Sequence, residues 1–409
     1  MGYFDALQAI CQPIRADALP NSLEHVNRLL NAISNPQQEY PCVVVAGSVG
    51  KGTTCHQIAD LMDEHLKVGL YTSPHLNSFR ERFRINGRMI SQTEFTKGVD
   101  IIQQAAAHLD THYSTFELAT ALALWWFRQQ AVDIAVLEIG IGGRFDAVNA
   151  VRNELAVITP IELEHAAMLG GTLASIAHHK AGIIQPQGYA ISTPQVPEVE
   201  SVLSEEAGIQ KAAINFEPVN TLAVAACANL MQRQIIPTYS LPAESPAVLL
   251  SGRMEKIDHQ GKTFIIDGAH TASSARRLRT TIEEIASDSP VRIIVGMLRD
   301  KSAHDFLAEF DSQRFQITLT QTSSHRALNV NELQQTTELY HAQVAMQPDL
   351  QSAIQEAFHS PESLIVITGS LRMAALSREM LGLLNNEELE EARKTRAIFE
   401  GQAYLTKIR

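Results

Sequence analysis

VVVAGSVGKGTT, Val43–Thr54, runs from an apolar β-branched stretch through a glycine-rich turn into a helix-forming sequence. The valines suit a buried strand and the glycines a turn that lets the backbone approach a ligand closely. A loop in that setting offers N–H groups and a helix N-terminus to an anion. Lys51 can reach outer phosphates, and a hydroxyl from Thr53 or Thr54 can ligate Mg²⁺. The loop, Gly47, Ser48, Gly50, Lys51, Gly52, Thr53 and Thr54, departs from the Walker A pattern. Val45 holds the first glycine position, and Gly52 follows the lysine where Ser or Thr would stand. A plain glycine turn is the competing reading; the strand–loop–helix context with Lys51 favours phosphate.

Three further segments pass from a short apolar strand into a polar cluster: VGLYTSPHL (Val68–Leu76), IAVLEIGIGGRFDAVN (Ile134–Asn149) and LAVITPIELEH (Leu155–His165). In an open parallel sheet, ligands bind beyond the carboxyl ends of the strands. Lys51, Thr53, Ser73, Glu138, Asp146 and His165 are therefore expected to converge on one crevice. A glycine loop, a lysine, hydroxyls, a carboxylate and an imidazole suit a nucleoside triphosphate with Mg²⁺, hence an ATP-using enzyme. Glu138 closes a strand whose other residues are apolar, and a buried carboxylate needs a cation to offset its desolvation. Mg²⁺ takes oxygen ligands; an ion pair with Arg144 is the alternative. His165 follows Glu162 and Glu164 at another strand end, and Ser73 can offer a hydroxyl. Lys180, in HHKAGII, reads by default as an exposed helix lysine. Partial burial would instead free its amine to react with CO₂. Farther on, Arg253 precedes a strand that ends in Asp267-Gly268-Ala269-His270, a setting for ribose and phosphate contacts.

The chain's 409 residues favour two domains. With 45% hydrophobic and 19% charged residues it reads as a globular protein, and its net charge of -12 disfavours nucleic acid as a partner. No apolar run reaches membrane-spanning length, and no signal peptide is visible. Cys11, Cys42, Cys55 and Cys227 lack metal-ligand spacing and suit the reducing cytoplasm.

After an opening helical region (about 3–34), strands at Cys42–Ala46, Gly69–Thr72, Ile134–Ile139 and Leu155–Pro160 alternate with helices at Thr53–His65, Thr93–His108, Glu117–Gln130 and Asn220–Arg233. This predicts a P-loop-type, doubly wound, mostly parallel sheet. TYSLPAESPAV (Thr238–Val248) is the candidate linker. Strands at Thr263–Asp267, Val291–Met297, Gln316–Thr320 and Leu364–Thr368 then interleave with helices near Ser273–Ala286, Lys301–Phe310, Asn331–Tyr340 and Leu350–His359, a smaller Rossmann-like α/β domain. The expected division is a central domain 1–245, a C-terminal domain 246–385 and a solvated, charged helical tail 386–409.

Together these segments resemble the folylpolyglutamate synthase/dihydrofolate synthase family of the Mur ligase superfamily. The likeness runs from GSVGKGTT through TSPHLNSFRERFRING (Thr72–Gly87), EIGIGGRFDAVN (Glu138–Asn149) and IELEHAAMLGGTLASIAHHKAGII (Ile161–Ile184) to GRMEKI, DGAH, HRAL and ITGSL. It implies an ATP-dependent carbon–nitrogen ligase: a carboxylate is phosphorylated, an amino acid's amine attacks the acyl phosphate, and phosphate leaves. The implied partners are a folate-like or other carboxylic acid and an amino acid, glutamate in this family; the implied state is a monomer or weak homo-oligomer. Carried over by position, Lys51 and the loop hold phosphate, and Ser73, Glu138 and His165 ligate Mg²⁺. Lys180 is the lysine that such ligases carbamylate. Asn220, Arg253 and Asp267 hold nucleotide, His270 sits near the reacting phosphate, and His75, Arg82, Phe116, Arg144, Asp146, His325 and Arg326 contact substrate.

Several positions depart from the family pattern. Ser48-Val49 replace Thr-Asn, Glu164 stands for Asp, and His179 replaces Glu. Thr271-Ala272 replace Asn-Pro, and the segment before Asn220 is short and lacks a His-Gln pair. These changes leave two alternatives beside folate glutamylation: a diverged paralogue ligating another acid to an amino acid or amine, and a nucleotide-binding regulatory protein without catalysis.

Overall fold

Every residue of the Cys42–Ala46 strand is buried, which places it in the middle of a sheet covered on both faces. The structure, a computed structural model, describes residues 1–11, 22–109, 111–337 and 343–405. Its chain divides into two units: Met1–His75, Phe79–Val248 and Gly401–Arg409 in one, Leu76–Ser78 and Leu249–Glu400 in the other.

The first unit is built on strands β1 (Cys42–Ala46), β2 (Val68–Tyr71), β3 (Phe83–Ile85), β4 (Arg88–Met89), β5 (Ile134–Glu138), β6 (Leu155–Ile158), β7 (Tyr189–Ser192) and β8 (Ala213–Phe216), in the order β4-β3-β2-β5-β1-β6-β7-β8. All pairings are parallel except those of the β3–β4 hairpin edge. The chain leaves β1 toward β2 on one side and later returns to β6 on the other. That makes the carboxyl end of β1 a topological switch point, where a crevice opens. Helices Lys51–Asp60 and Leu222–Gln232 cover one face, packing Ile58, Cys55, Ala226, Cys227 and Leu230 on Val43, Val45, Val136 and Val157. On the other, the Phe127 ring of helix Thr115–Gln129 fills the space above Gly69. Helices Leu173–Ala181 and Pro197–Gln210 link β6 to β7 and β7 to β8.

The second unit holds β9 (Glu255–His259), β10 (Lys262–Ile266), β11 (Val291–Val295), β12 (Phe315–Leu319), β13 (Gln343–Met346) and β14 (Leu364–Thr368), ordered β13-β12-β11-β14-β10-β9. Among the named strands of this sheet, β9–β10 is the antiparallel pair and the other pairings are parallel. Two apolar layers flank this sheet, one centred on Phe306, Phe310 and Phe315 and the other on Phe264, Ile354 and Met373.

The mixed α/β reading with two mostly parallel sheets is what the structure has. The expected helix Asn331–Tyr340 is shorter, Val330–Gln335, and its last residues lie outside the described ones. The opening helical region is two helices, Tyr3–Cys11 and Ser22–Ala32, with 12–21 outside the described residues. The charged C-terminal stretch is not a solvated tail. Helix Asn386–Leu405 buries Glu391, Ala392 and Thr395; Ser78 Oγ donates to Glu391, and Arg396 is paired with Glu379.

Candidate active site

Gly47 ends β1 with φ 148°, and a Cβ there would collide with the Thr159 side chain. Gly50, at φ 83°, caps the helix Lys51–Asp60. Between them the loop is anchored to the chain after β6. The Ser48 and Val49 N–H groups donate to the Pro160 carbonyl at 2.9 and 3.3 Å. Ser48 Oγ donates to the Glu162 carbonyl and accepts from the Glu162 N–H, at 2.9 and 3.0 Å. Ser48, expected among the phosphate-loop residues, thus braces the loop through its amide and hydroxyl. The donors that remain for an anion are the first-turn amides of Lys51, Gly52 and Thr53, which a helix leaves without intrahelical acceptors.

Two lysine amino groups converge on one carbonyl. Lys51 Nζ donates to Gly47 O at 3.1 Å, and Lys180 Nζ to the same oxygen at 2.5 Å. Lys180 sits in the last turn of the helix Leu173–Ala181, which Thr172 caps. At 3% exposure it is no surface lysine, contrary to the default sequence reading. Burial, then the charge of Lys51, lower its pKa to about 7, against the opposing pull of Glu164 and Asp146. Two lysine amino groups around one oxygen favour an anion beside them whenever they carry charge.

Carboxylates lie beside this pair. Glu138, 4% exposed, ends β5 opposite Val45 of β1 and accepts the Ser73 N–H at 2.8 Å. The first turn of the phosphate-loop helix faces it: a Cβ on Gly52 would lie 3.6 Å from Glu138 Oε2. Asp146 caps the turn Ala147–Ala150, accepting the Val148 and Ile141 N–H groups at 2.9 and 3.1 Å. Burial raises its pKa to about 6, although those amides and Lys51 hold it down. His165 has a left-handed backbone, φ 52°, and its Nε2 lies 3.8 Å from Glu164 Oε1.

Among the described residues no three His, Cys, Asp or Glu side chains form a metal-binding group. Of the expected set Ser73, Glu138 and His165, Ser73 donates its backbone N–H to Glu138, and His165 lies 3.8 Å from Glu164. A buried carboxylate at a strand end, with Ser73 held against it through its backbone, still fits Mg²⁺. That ion is commonly held by one or two protein oxygens, phosphate and water.

A third cluster follows β2. His75 Nδ1 accepts from Arg82 Nε at 3.1 Å, and burial and this guanidinium push the imidazole well below its usual range, so it is neutral. Arg82 lies over the Phe79 ring, 4.9 Å from its centroid. Phe116 rests on Gly140, where a Cβ would be 2.7 Å from the ring, and 6.0 Å from the Tyr71 ring. Arg144, weighed as a partner of Glu138, is paired instead with Glu206 at 2.5 Å and donates to the His178 carbonyl at 3.3 Å. Glu206 and the bracing residues Thr159 and Pro160 escaped sequence reasoning, because nothing local marks a partner sixty or more positions away.

In the second unit, Asp267 follows β10 and accepts the Met254 and Ala269 N–H groups, each at 2.8 Å. Burial raises its pKa while these amides and Arg253 oppose the rise. Arg253, Asp267 and His270 thus share the carboxyl end of β10. The His270 Nδ1 lies 2.8 Å from Gly268 O, so that nitrogen carries the proton. His325 and Arg326 are exposed on the turn after β12, where Arg326 pairs with Asp300 at 3.0 Å. In the first unit, Asn220 is exposed and donates to Glu244 at 3.1 Å.

Known proteins match this arrangement. The Mur ligase middle domain model matches residues 45–215, and the model of the Mur ligase glutamate ligase domain matches 252–371. The chain is 29% identical to the folylpolyglutamate synthase of Lacticaseibacillus casei, over 86% of its own length and 92% of that protein's. It is 30% identical to the dihydrofolate synthase/folylpolyglutamate synthase of Mycobacterium tuberculosis, covering 76% of each. A Yersinia pestis bifunctional folylpolyglutamate synthase/dihydrofolate synthase, solved with AMPPNP and Mn ion, superposes with a TM-score of 0.77 at 25% identity, over 91% of this chain and 99% of that one.

Proposed function

This chain belongs to the dihydrofolate synthase/folylpolyglutamate synthase family and is an ATP-dependent acid–amino-acid ligase, from which we propose that it adds L-glutamate to a folate or dihydropteroate carboxylate with the help of Mg²⁺. ATP would transfer its γ-phosphoryl group to the acid, giving an acyl phosphate and ADP. The glutamate amine would then attack the acyl carbon, losing a proton, and the C–O bond to phosphate would break. The observation that carries this reading is the meeting of Lys51 and Lys180 on Gly47 O beside buried Glu138.

The residues divide the work by their chemistry. Lys51 and the first-turn amides of Gly52 and Thr53 would bind the outer phosphates, exchanging the Gly47 carbonyl for a stronger, charged acceptor. Glu138 and Ser73 would hold Mg²⁺, which when bound neutralises phosphate charge and aligns the transferring group. His165 would be the third ligand of that set. Lys180, with a pKa of about 7, supplies a neutral amine at physiological pH. Its lone pair can form an N–C bond to CO₂ with loss of one proton, and the resulting carbamate anion would place a negative charge beside Lys51. His75, Arg82, Phe116 and Asp146 form the remaining polar and aromatic surface on that side of the sheet, suited to an aryl acid. Arg253, Asp267 and His270 are proposed for nucleotide, with His325 and Arg326 for substrate. Four cysteines, all buried and unpaired, suit a reducing cytoplasm.

A paralogue's reaction with another acid has one specific observation behind it: Glu206 engages Arg144, a side chain the resemblance assigns to substrate. The deciding assay incubates purified protein with ATP, Mg²⁺, glutamate and either dihydropteroate or tetrahydrofolate, following ADP, phosphate and product mass. Folate-dependent ADP release with a glutamyl mass increment is the expected result. Turnover only with another acid from a panel would transfer the conclusion to the paralogue; nucleotide binding with no turnover on any acid would remove the ligase reading.

A further inference from the structure

Thr159–Glu162, just after β6, is the strut beneath the phosphate loop. Pro160 O takes the Ser48 and Val49 amides, Glu162 exchanges two hydrogen bonds with Ser48, and the Thr159 side chain occupies the space beside Gly47. A proline carbonyl orients those amides only if the peptide groups on either side of it are fixed. Both are held by one side chain from the loop after β7. Gln195 Oε1 accepts the Ile161 N–H at 3.0 Å, and Gln195 Nε2 donates to the Thr159 carbonyl at 3.1 Å. The same nitrogen lies 3.1 Å from Thr193 Oγ1 and 3.3 Å from Ser192 Oγ. The Gln195 backbone is fixed in turn, since its N–H donates to Glu200 Oε1 at 2.9 Å. Thr193, two positions earlier in the chain, extends the sheet by donating its N–H to Ile158 O at 3.0 Å.

We propose that Gln195 is a positioning residue for the phosphate loop, clamping the two peptide groups that flank Pro160 so that the loop and the first turn of its helix are preset for a triphosphate. The proposal rests on the reading of this site as ATP-using. A carboxamide suits the task because it presents an acceptor and a donor at once, and each meets a main-chain group of opposite kind. Methionine matches its length but offers neither bond; glutamate keeps the acceptor for Ile161 and cannot donate to Thr159. Preorganisation of this kind acts on the affinity for the bound group, because a loop that must be ordered on binding weakens it.

The test compares wild type, Gln195→Met, Gln195→Glu and a control, Gln103→Met, which removes a single hydrogen bond donated by the Gln103 carboxamide to the Ala9 carbonyl. MgATP affinity is read by displacement of a fluorescent nucleotide, and KM for ATP, KM for glutamate and kcat by steady-state assay. Circular dichroism and Tm report folding. Gln195→Met is expected to weaken MgATP binding and raise KM for ATP about tenfold, with KM for glutamate within about twofold of wild type. Gln195→Glu should fall between, and Gln103→Met should leave nucleotide affinity unchanged. Wild-type MgATP affinity in a folded Gln195→Met protein overturns the proposal, as does an equal loss in Gln103→Met. If Gln195→Met does not fold, Gln195→Glu decides by the same readout. A wild-type chain that binds MgATP yet ligates no acid removes the ligase reading alone, and the affinity comparison still decides the clamp.

Discussion

Lys180 carries pH-sensitive chemistry at the centre of the site. Its pKa of about 7 lies below the unfolded value of 10.5, because burial and Lys51 disfavour the charge. The unfolded chain therefore binds more protons between about pH 7 and pH 10.5, and this lysine makes stability rise with pH across that window. Below pH 7 the penalty of charging it in the folded state is fully present. Lys180→Met should flatten that rise and leave the protein at least as stable at pH 7, measured by urea unfolding at pH 7 and pH 10; an unchanged slope would mean the lysine is solvated. The neutral amine also sets the reaction with CO₂. Enzyme depleted of CO₂ should recover activity with bicarbonate faster at pH 8 than at pH 6, and Lys180→Met should show neither activity nor recovery. Glu138 is a cleaner test of the metal. Glu138→Gln keeps an acceptor for the Ser73 N–H but loses the charge, so kcat should fall about a hundredfold or more while the fold is kept. Raised Mg²⁺ should restore part of the rate, and unimpaired turnover would show that the cation is held elsewhere.

Two glycines of the phosphate loop separate sterics from backbone preference at the scale of the strand–loop–helix element. Gly47→Ala sets a Cβ against Thr159, 2.9 Å from its Cβ and 3.1 Å from its carbonyl oxygen, so the loop must move. Gly50→Ala meets nothing within 4 Å and should cost only the left-handed conformation, about 1–2 kcal/mol. Thermal denaturation and nucleotide affinity should therefore part company: Gly47→Ala loses MgATP binding at least about tenfold, and Gly50→Ala loses mainly stability. A common loss in both would point to flexibility of the loop in place of its packing. This element was legible because strand, glycines and helix are contiguous. The fully buried strands β1, β5, β6 and β14 were legible as well, each being an apolar run of at least four residues. β8 was not, because Ala213–Phe216 alternates exposed and half-buried residues over only four positions. The β3–β4 hairpin carried its own signal unread: Asn86-Gly87, with φ of 44° and 73°, is a two-residue turn of the kind that joins twisted strands. The site divided the same way. Strand-end residues such as Glu138 could be placed by topology, but the bonds of Ser48 to Glu162, Arg144 to Glu206 and Gln195 to Thr159 depend on where distant loops return.

At the scale of the molecule the chain has two sheets, each with its own apolar layers, and nothing in that layout requires a single unfolding transition. The protein carries its own reporters for the question. Both tryptophans, Trp125 and Trp126, lie in the helix Thr115–Gln129 of the first unit, buried at 6% and 4% exposure. Intrinsic fluorescence therefore follows that unit, whereas far-ultraviolet circular dichroism follows both. The two probes should give non-coincident urea curves. A ligand that binds only folded protein stabilises by RT ln(1 + [L]/Kd), about 2.7 kcal/mol at a hundred times Kd. With the phosphate loop, Lys180 and Glu138 all in the first unit, MgATP should shift the fluorescence-detected midpoint upward by that order. The Glu138→Gln protein should lose most of the Mg²⁺-dependent part of the shift, because ATP without its cation meets only the lysines and amides. Coincident curves that move together with nucleotide would mean that the two sheets unfold as one cooperative body. A shift confined to the circular-dichroism component would place the main nucleotide contacts outside the first unit and count against the roles given to Lys51 and Glu138.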